Sequence, residues 1–82
     1  MSIKMYSVYA LKSINRNYIY VGLTNDLGRR FAQHNKGSET TTKPYSPFIL
    51  LYTEEFETRH EARNREKYLK SGIGKEYLKS LL

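Results

Sequence analysis

The chain contains no cysteine, which excludes disulfides, a thiolate metal site and a thiol nucleophile and leaves stability to packing alone. Such a composition suits a reducing cytosol. Long apolar runs are also missing: the longest, Phe48 to Tyr52, falls far short of the roughly 20 residues that a membrane helix needs. The opening stretch, Met1 to Tyr6, carries no apolar signal core. These absences lead to the expectation of a soluble, cytoplasmic protein with no membrane partner. No Walker A loop, HExxH pair, zinc-ligand set or Ser/His/Asp arrangement is visible, nor any internal repeat or low-complexity tract. Acidic residues are scarce, eight against fourteen basic, and the formal charge of +6 favours a polyanionic partner at low salt. A merely basic soluble protein would carry the same charge, so charge alone leaves both readings open.

What is present fits one small domain over residues 1–82; a chain of this size removes only about 60 to 65% of its extended-chain surface from water. Aromatic residues make up 13%, mostly tyrosine, which suits a nucleic-acid surface because phenols stack on bases and bond phosphates. Tyr6 to Leu11 and Tyr18 to Leu23 read as strands around Ser13-Ile14-Asn15-Arg16, a polar stretch of hairpin length. With that stretch as the loop, Tyr9 is expected directly opposite Tyr20. Alternation then places Val8, Ala10, Ile19 and Val21 on one face, and Tyr9, Leu11, Tyr18 and Tyr20 on the other.

Downstream, Asn25 is a candidate N-cap for a helix that starts with Asp26 and ends near Gly37. Leu27, Arg30, Phe31 and His34 fall at i, i+3, i+4 and i+7, so they share one face. Lys36 to Pro47, with three consecutive threonines and two prolines, has no period and reads as an exposed loop. Phe48 to Tyr52 is expected to be a strand covered on both faces. Thr58 and Glu61 have capping-box spacing for a helix running to about Ser71. Within it, Ala62, Glu66 and Leu69 form one stripe, and Arg59, Arg63, Lys67 and Lys70 form a separate basic one. Gly72 to Gly74 reads as a turn, with Tyr77, Leu78 and Leu81 anchoring a short terminal helix. Glu54, Glu55 and Glu57 read as a solvated edge, and His60 as an exposed residue near the helix start.

Ser7-Val8-Tyr9, Tyr20-Val21-Gly22, the Arg30/His34 pair and the helical Glu66 together resemble the GIY-YIG nuclease family over roughly residues 6 to 70. The similarity extends to the catalytic domains of GIY-YIG homing endonucleases and of the bacterial excinuclease C subunit. Two departures stand out. Ser7 occupies the place of the first motif glycine, and the asparagine that larger members carry near the domain end has no clear match. The resemblance implies an α+β domain: a three-stranded mixed or antiparallel sheet packed by two main helices and a short third one. It also implies metal-dependent hydrolysis of DNA phosphodiesters, in a setting such as repair or recombination, with site residues converging on one surface.

In this reading Tyr9 is the general base, Tyr20 and His34 support it, and Arg30 offsets charge on the phosphate. Glu66 holds a divalent cation, Mg²⁺ or else Mn²⁺. A half-buried strand tyrosine, a surface arginine, a capping histidine and an i,i+4 ion pair from Glu66 to Lys70 are the respective competing readings. A free phenol titrates near 10, and a nearby metal or Arg30 is expected to lower that value for Tyr9. Gly22 is expected to permit close backbone approach. Arg29, Lys36, Lys43, Arg63 and Lys67 are the candidate DNA contacts, and Tyr6, Tyr18 and Tyr45 are further candidates for lining a DNA track. A chain this small has no room for a separate recognition domain, so a protein partner for target choice fits the resemblance. A non-catalytic nucleic-acid-binding module of the same fold is the alternative.

Overall fold

A computed structural model describes residues 5–82; the first four residues of the stretch read for a signal core lie outside it. The expected α+β arrangement is present. Strands β1 (Tyr6–Ser13), β2 (Ile19–Thr24) and β3 (Phe48–Phe56) form an antiparallel sheet in the order β2-β1-β3. Helix α1 (Leu27–Lys36) follows the hairpin, a 3₁₀ turn spans Lys43–Tyr45, and α2 (Arg59–Lys70) and α3 (Gly72–Lys79) close the chain.

Alternation along β1 decides the layering. Val8 and Ala10 face one way and join Val21, Ala62, Leu69 and Leu78 in a buried aliphatic cluster under α2 and α3. Tyr9 and Leu11 face the other way and join Phe48, with Leu27 and Phe31 of α1 and Tyr18, Tyr20 and Tyr45 packed around them. The expected division of faces therefore holds. The register does not: Tyr9 pairs with Gly22, and Tyr20 with Leu11. Ser13 belongs to β1, where its backbone N–H donates to Tyr18 O and its hydroxyl accepts from the Arg16 N–H, so the loop begins one residue later than the polar stretch suggests. The pairing slips by two residues, and an even slip leaves every side chain on its face.

Further differences concern local signals. Asp26, not Asn25, caps α1, its carboxylate accepting from the Arg29 N–H. Gly37 ends the helix at φ 73°, as its position implied. Strand β3 is an edge strand instead of a doubly covered one: Ile49 is 50% exposed, and Leu51 is skipped at a bulge where Ala10 meets Tyr52 and Leu11 meets Leu50. The strand buried on both faces is β1. Thr58 caps α2, and the helix buries Ala62, Glu66 and Leu69 as expected. Gly72 to Gly74 is the first turn of α3, capped by Ser71, and Leu81 stays exposed. Gly74 is required by close packing, since an added Cβ would stand 2.0 Å from Tyr68 O.

Arg65 locks this side together. Its guanidinium lies over the rings of Tyr52, Tyr68 and Tyr77 and pairs with Glu54 at 3.2 Å, joining β3, α2 and α3. Glu54 and Glu55 lie on exposed positions of β3, and His60 is exposed in the first turn of α2. No helix among the described residues is long and apolar enough to cross a membrane.

Candidate active site

The face toward α1 brings four of the predicted site residues together. Tyr9 is 1% exposed and His34 fully buried, and the Tyr9 hydroxyl lies 3.0 Å from His34 Nε2. Tyr20 stands beside both, its ring centroid 4.9 Å from that of His34 and 6.2 Å from that of Tyr9. Arg30 comes from the same helical face as His34 and bonds Gln33 Oε1 at 3.1 Å and Glu39 Oε2 at 3.5 Å. Tyr9 and Tyr20 come from β1 and β2, Arg30 and His34 from α1, so the hairpin and one helix build the cluster.

Gly22 explains why the second motif ends in glycine. A Cβ at this position would lie 2.5 Å from Tyr9 Oη, 2.6 Å from its Cζ and 3.0 Å from Tyr20 Cε2. The Tyr9 ring is buried against His34 and has no room to retreat. The missing side chain is the space in which the phenol sits.

Burial also sets the acid–base character. Desolvation pushes the Tyr9 phenol up to about 12, outweighing the Arg30 guanidinium that favours its anion. The expected lowering by Arg30 is thus overruled, because the buried phenolate loses more hydration than one neighbouring cation returns. His34 is lowered, by burial first and by the positive charge of Arg30 second, with Glu39 opposing. Its neutral form is the stable one at pH 7. Arg30 is desolvated too, yet Tyr9 and Glu39 more than restore its charge and raise it overall.

Two residues that the sequence reading missed complete the cluster. Thr42 is 1% exposed and its hydroxyl lies 2.9 Å from His34 Nδ1, so both ring nitrogens are engaged. Glu39 pairs with Arg30. Both lie in the stretch read as an exposed loop, and that description fails at Thr42. Its turn is fixed by the Glu39 carbonyl, which accepts from the N–H groups of Thr42 and Lys43. An aperiodic segment offers no pattern from which one buried threonine could be picked.

Glu66 is not part of this cluster. It is buried on α2 with Ala62 and Leu69, beneath the aliphatic face, and pairs with Arg63 and Lys70 at 3.2 Å each. The expected convergence of all site residues on one surface is not realised by contact, because α1 and α2 cover opposite faces of the sheet. The competing ion pair with Lys70 is present. No group of three or more metal-ligating side chains occurs among the described residues. A lone buried carboxylate still fits Mg²⁺, an ion that takes one or two protein carboxylates and completes its shell with water and substrate phosphate.

The candidate DNA contacts, Arg29, Lys36, Lys43, Arg63 and Lys67, are all exposed. Arg29 lies 3.8 Å from Asp26 in an exposed ion pair. Tyr18 and Tyr45 stack at 3.8 Å beside the cluster, whereas Tyr6 packs on the aliphatic side.

A family model described as the GIY-YIG catalytic domain matches residues 5–77. A UPF0213 protein of Limosilactobacillus reuteri is 35% identical over 85 residues, spanning 100% of this chain and 88% of that protein. A UPF0213 protein of Halobacterium salinarum is 37% identical over 67 residues, 80% of this chain and 86% of its own length. Another, from Vibrio parahaemolyticus, is 36% identical over 79% of this chain, and the match spans 61% of that longer protein. The solution NMR structure of a UPF0213 protein from Bacillus halodurans superposes with a TM-score of 0.57 at 34% identity, covering 94% of this chain and 84% of that one.

Proposed function

From the premise that this chain belongs to the GIY-YIG catalytic-domain family, we propose that it is an endonuclease that hydrolyses phosphodiester bonds in DNA with a divalent cation. The observation that carries the reading is the buried Tyr9–His34 hydrogen bond beside Arg30, on the family's own motif positions. A phenol held near 12 is not an anion at neutral pH. It works as a base only by passing its proton on. In the proposed step the attacking water gives a proton to Tyr9 Oη while Tyr9 gives its own to His34 Nε2, which is neutral and receptive. The new hydroxide attacks phosphorus, and the bond to the departing alkoxide breaks.

Tyr9 is almost fully enclosed, so water reaches it past the half-buried Tyr20 and Arg30. Arg30 faces the phosphoryl oxygens with its planar fork once these displace Glu39. Mg²⁺ or Mn²⁺ on Glu66 would supply charge for the phosphoryl group and the departing oxygen. A phosphodiester that meets both Glu66 and the phenol cluster would cross the outer edge of β2, because that strand lies at the sheet edge and α2 packs over β1 and β2. Exposed Arg29, Lys36, Lys43, Arg63 and Lys67 would hold the flanking backbone, and a protein partner would supply target choice.

One observation favours a second reading. Glu66 already satisfies two cations of its own helix, which suits a nucleic-acid-binding module without turnover. Labelled duplex, flap and four-way-junction DNA incubated with protein, in Mg²⁺ or Mn²⁺ and then in chelator, separates the two. Cleavage that stops with chelator supports the endonuclease; salt-sensitive binding that chelator leaves unchanged, without cleavage, overturns it.

A further inference from the structure

We propose that Lys70 is a mobile cation that neutralises Glu66 in the free protein and passes to the DNA backbone when a divalent cation takes its place. The proposal deepens the endonuclease reading and rests on its placing of the divalent cation at Glu66. Glu66 is 6% exposed, and each of its two carboxylate oxygens has one cation: Arg63 Nη1 lies 3.2 Å from Oε1 and Lys70 Nζ 3.2 Å from Oε2. A carboxylate buried this far must be paired, because its lost hydration has to be offset. The helix supplies both partners by spacing, one a turn before Glu66 and one a turn after it.

The pairing becomes an obstacle once a metal arrives. Mg²⁺ binds a carboxylate oxygen at about 2.0 to 2.1 Å. An ammonium left 3.2 Å from the same carboxylate would then stand within a few ångströms of two further positive charges. One cation must leave, and the two differ in readiness. A guanidinium is weakly hydrated and favours buried pairs, whereas an ammonium is strongly hydrated on a flexible stem. Lys70 is therefore the one that leaves, and Arg63 keeps Oε1. The Lys70 side chain is 54% exposed in the last turn of α2, so it moves without disturbing the packed face of the helix.

Where it goes follows from what lies beside it. Among the described residues Lys70 takes part in no other ion pair, and it continues the stripe of exposed Arg63 and Lys67, both candidates for holding the DNA backbone. A phosphate on that stripe is the acceptor for the released ammonium. Metal and DNA then assist each other. The metal frees Lys70 for phosphate, phosphate draws Lys70 off Glu66, and one coupling factor holds in both directions. The ion pair that suits a module without turnover thus acts as a latch on the metal site.

The test titrates Mn²⁺ into the full chain without DNA, read by electron paramagnetic resonance, for the wild type, Lys70→Met, Lys70→Arg and Arg59→Gln. Lys70→Met is expected to bind Mn²⁺ about threefold to tenfold more tightly than the wild type, and Lys70→Arg no more tightly. Arg59→Gln, which removes an exposed charge elsewhere on α2, should stay within about twofold of the wild type. Binding of a labelled duplex should tighten in the wild type on going from chelator to Ca²⁺, another dication that takes oxygen ligands. That gain should shrink about threefold to tenfold in Lys70→Met. A Lys70→Met chain that binds Mn²⁺ no more tightly than the wild type overturns the proposal. So does Mn²⁺ bound by neither chain, or a gain in DNA affinity that Lys70→Met leaves whole. Mn²⁺ binding is read without cleavage, so an inert chain whose Lys70→Met variant tightens Mn²⁺ upholds the latch while the endonuclease reading fails. Metal-dependent cleavage with Mn²⁺ affinity unaltered in Lys70→Met overturns the latch and leaves that reading standing.

Discussion

On the side of the sheet under α2 and α3, Val8, Ala10 and Val21 meet Ala62, Leu69 and Leu78, and the buried centre is wholly aliphatic. On the side under α1, the same strands present Tyr9, Leu11 and Tyr20 to His34, Arg30 and the Thr42 turn, and the packing is threaded by hydrogen bonds. Both faces are equally dry at their centres, since Val8 and Leu11 are each fully buried. They differ in what burial does. Beneath α2 it stabilises the fold without directional demands. Beneath α1 it raises the Tyr9 phenol, lowers His34 and keeps two hydrogen-bonded groups neutral at pH 7. On the proposed function, folding falls to one face and chemistry to the other, with Glu66, among the described residues, the one buried carboxylate.

Substitutions on each face should separate these roles. The largest effect is expected from Tyr9→Phe, which removes the relay's first group: cleavage should fall about a hundredfold to ten-thousandfold, measured under single-turnover conditions, while circular dichroism stays native. Leu69→Ala on the other face should do the reverse. It empties a fully buried leucine site and should cost about 2 to 5 kcal/mol in chemical denaturation, with activity lost only as the chain unfolds.

A third expectation follows from the two titrating groups. Tyr9 holds its proton to about 12 in the folded chain but releases it near 10 when unfolded, so stability should decline as pH rises from 10 to 12, by about 2 to 3 kcal/mol at most. His34 takes a proton less readily folded than unfolded, so stability should also decline as pH falls below the ordinary histidine value of 6.5. Denaturation midpoints across pH check both, with Tyr9→Phe expected to shrink only the alkaline arm and to leave the part that the raised phenols of Tyr18 and Tyr52 contribute. Gly22→Ala should cost about 1 to 3 kcal/mol by pressing on Tyr9, and should lower activity more than Leu69→Ala does at equal folded fraction. The smallest effect is expected at the surface, where Asp26→Ala removes the α1 cap and should cost about 1 kcal/mol by thermal melting.

How far the sequence could be read depended on what kind of signal each feature left. The two faces of the hairpin were legible because period-two alternation survives a register slip of two residues. The register itself was not, because Ser13 supplies both a strand position and the polar hydroxyl that closes the loop. Phe48 to Tyr52 looked doubly buried because five apolar residues in a row carry no record of sheet order, and only β1 won the centre. Asn25 and Asp26 are both good caps, and the choice between them is made by Thr24, whose hydroxyl accepts from the Asp26 N–H. Gly72 to Gly74 imitated a turn because Gly74 answers a tertiary demand, the backbone of α2 two ångströms from where its Cβ would be. The grouping of Arg30 and His34 was legible from helical spacing. Thr42 and Glu39 were not, since each acts from an aperiodic turn through a single side chain.

The central claim is that the phenol face carries phosphodiester hydrolysis, and Arg30→Ala tests it most directly because the change removes charge from that face without touching the aliphatic core. Single-turnover cleavage of the preferred DNA in Mg²⁺ should fall about a hundredfold to a thousandfold, with the melting midpoint close to wild type. An Arg30→Ala chain that cleaves at the wild-type rate would contradict the account.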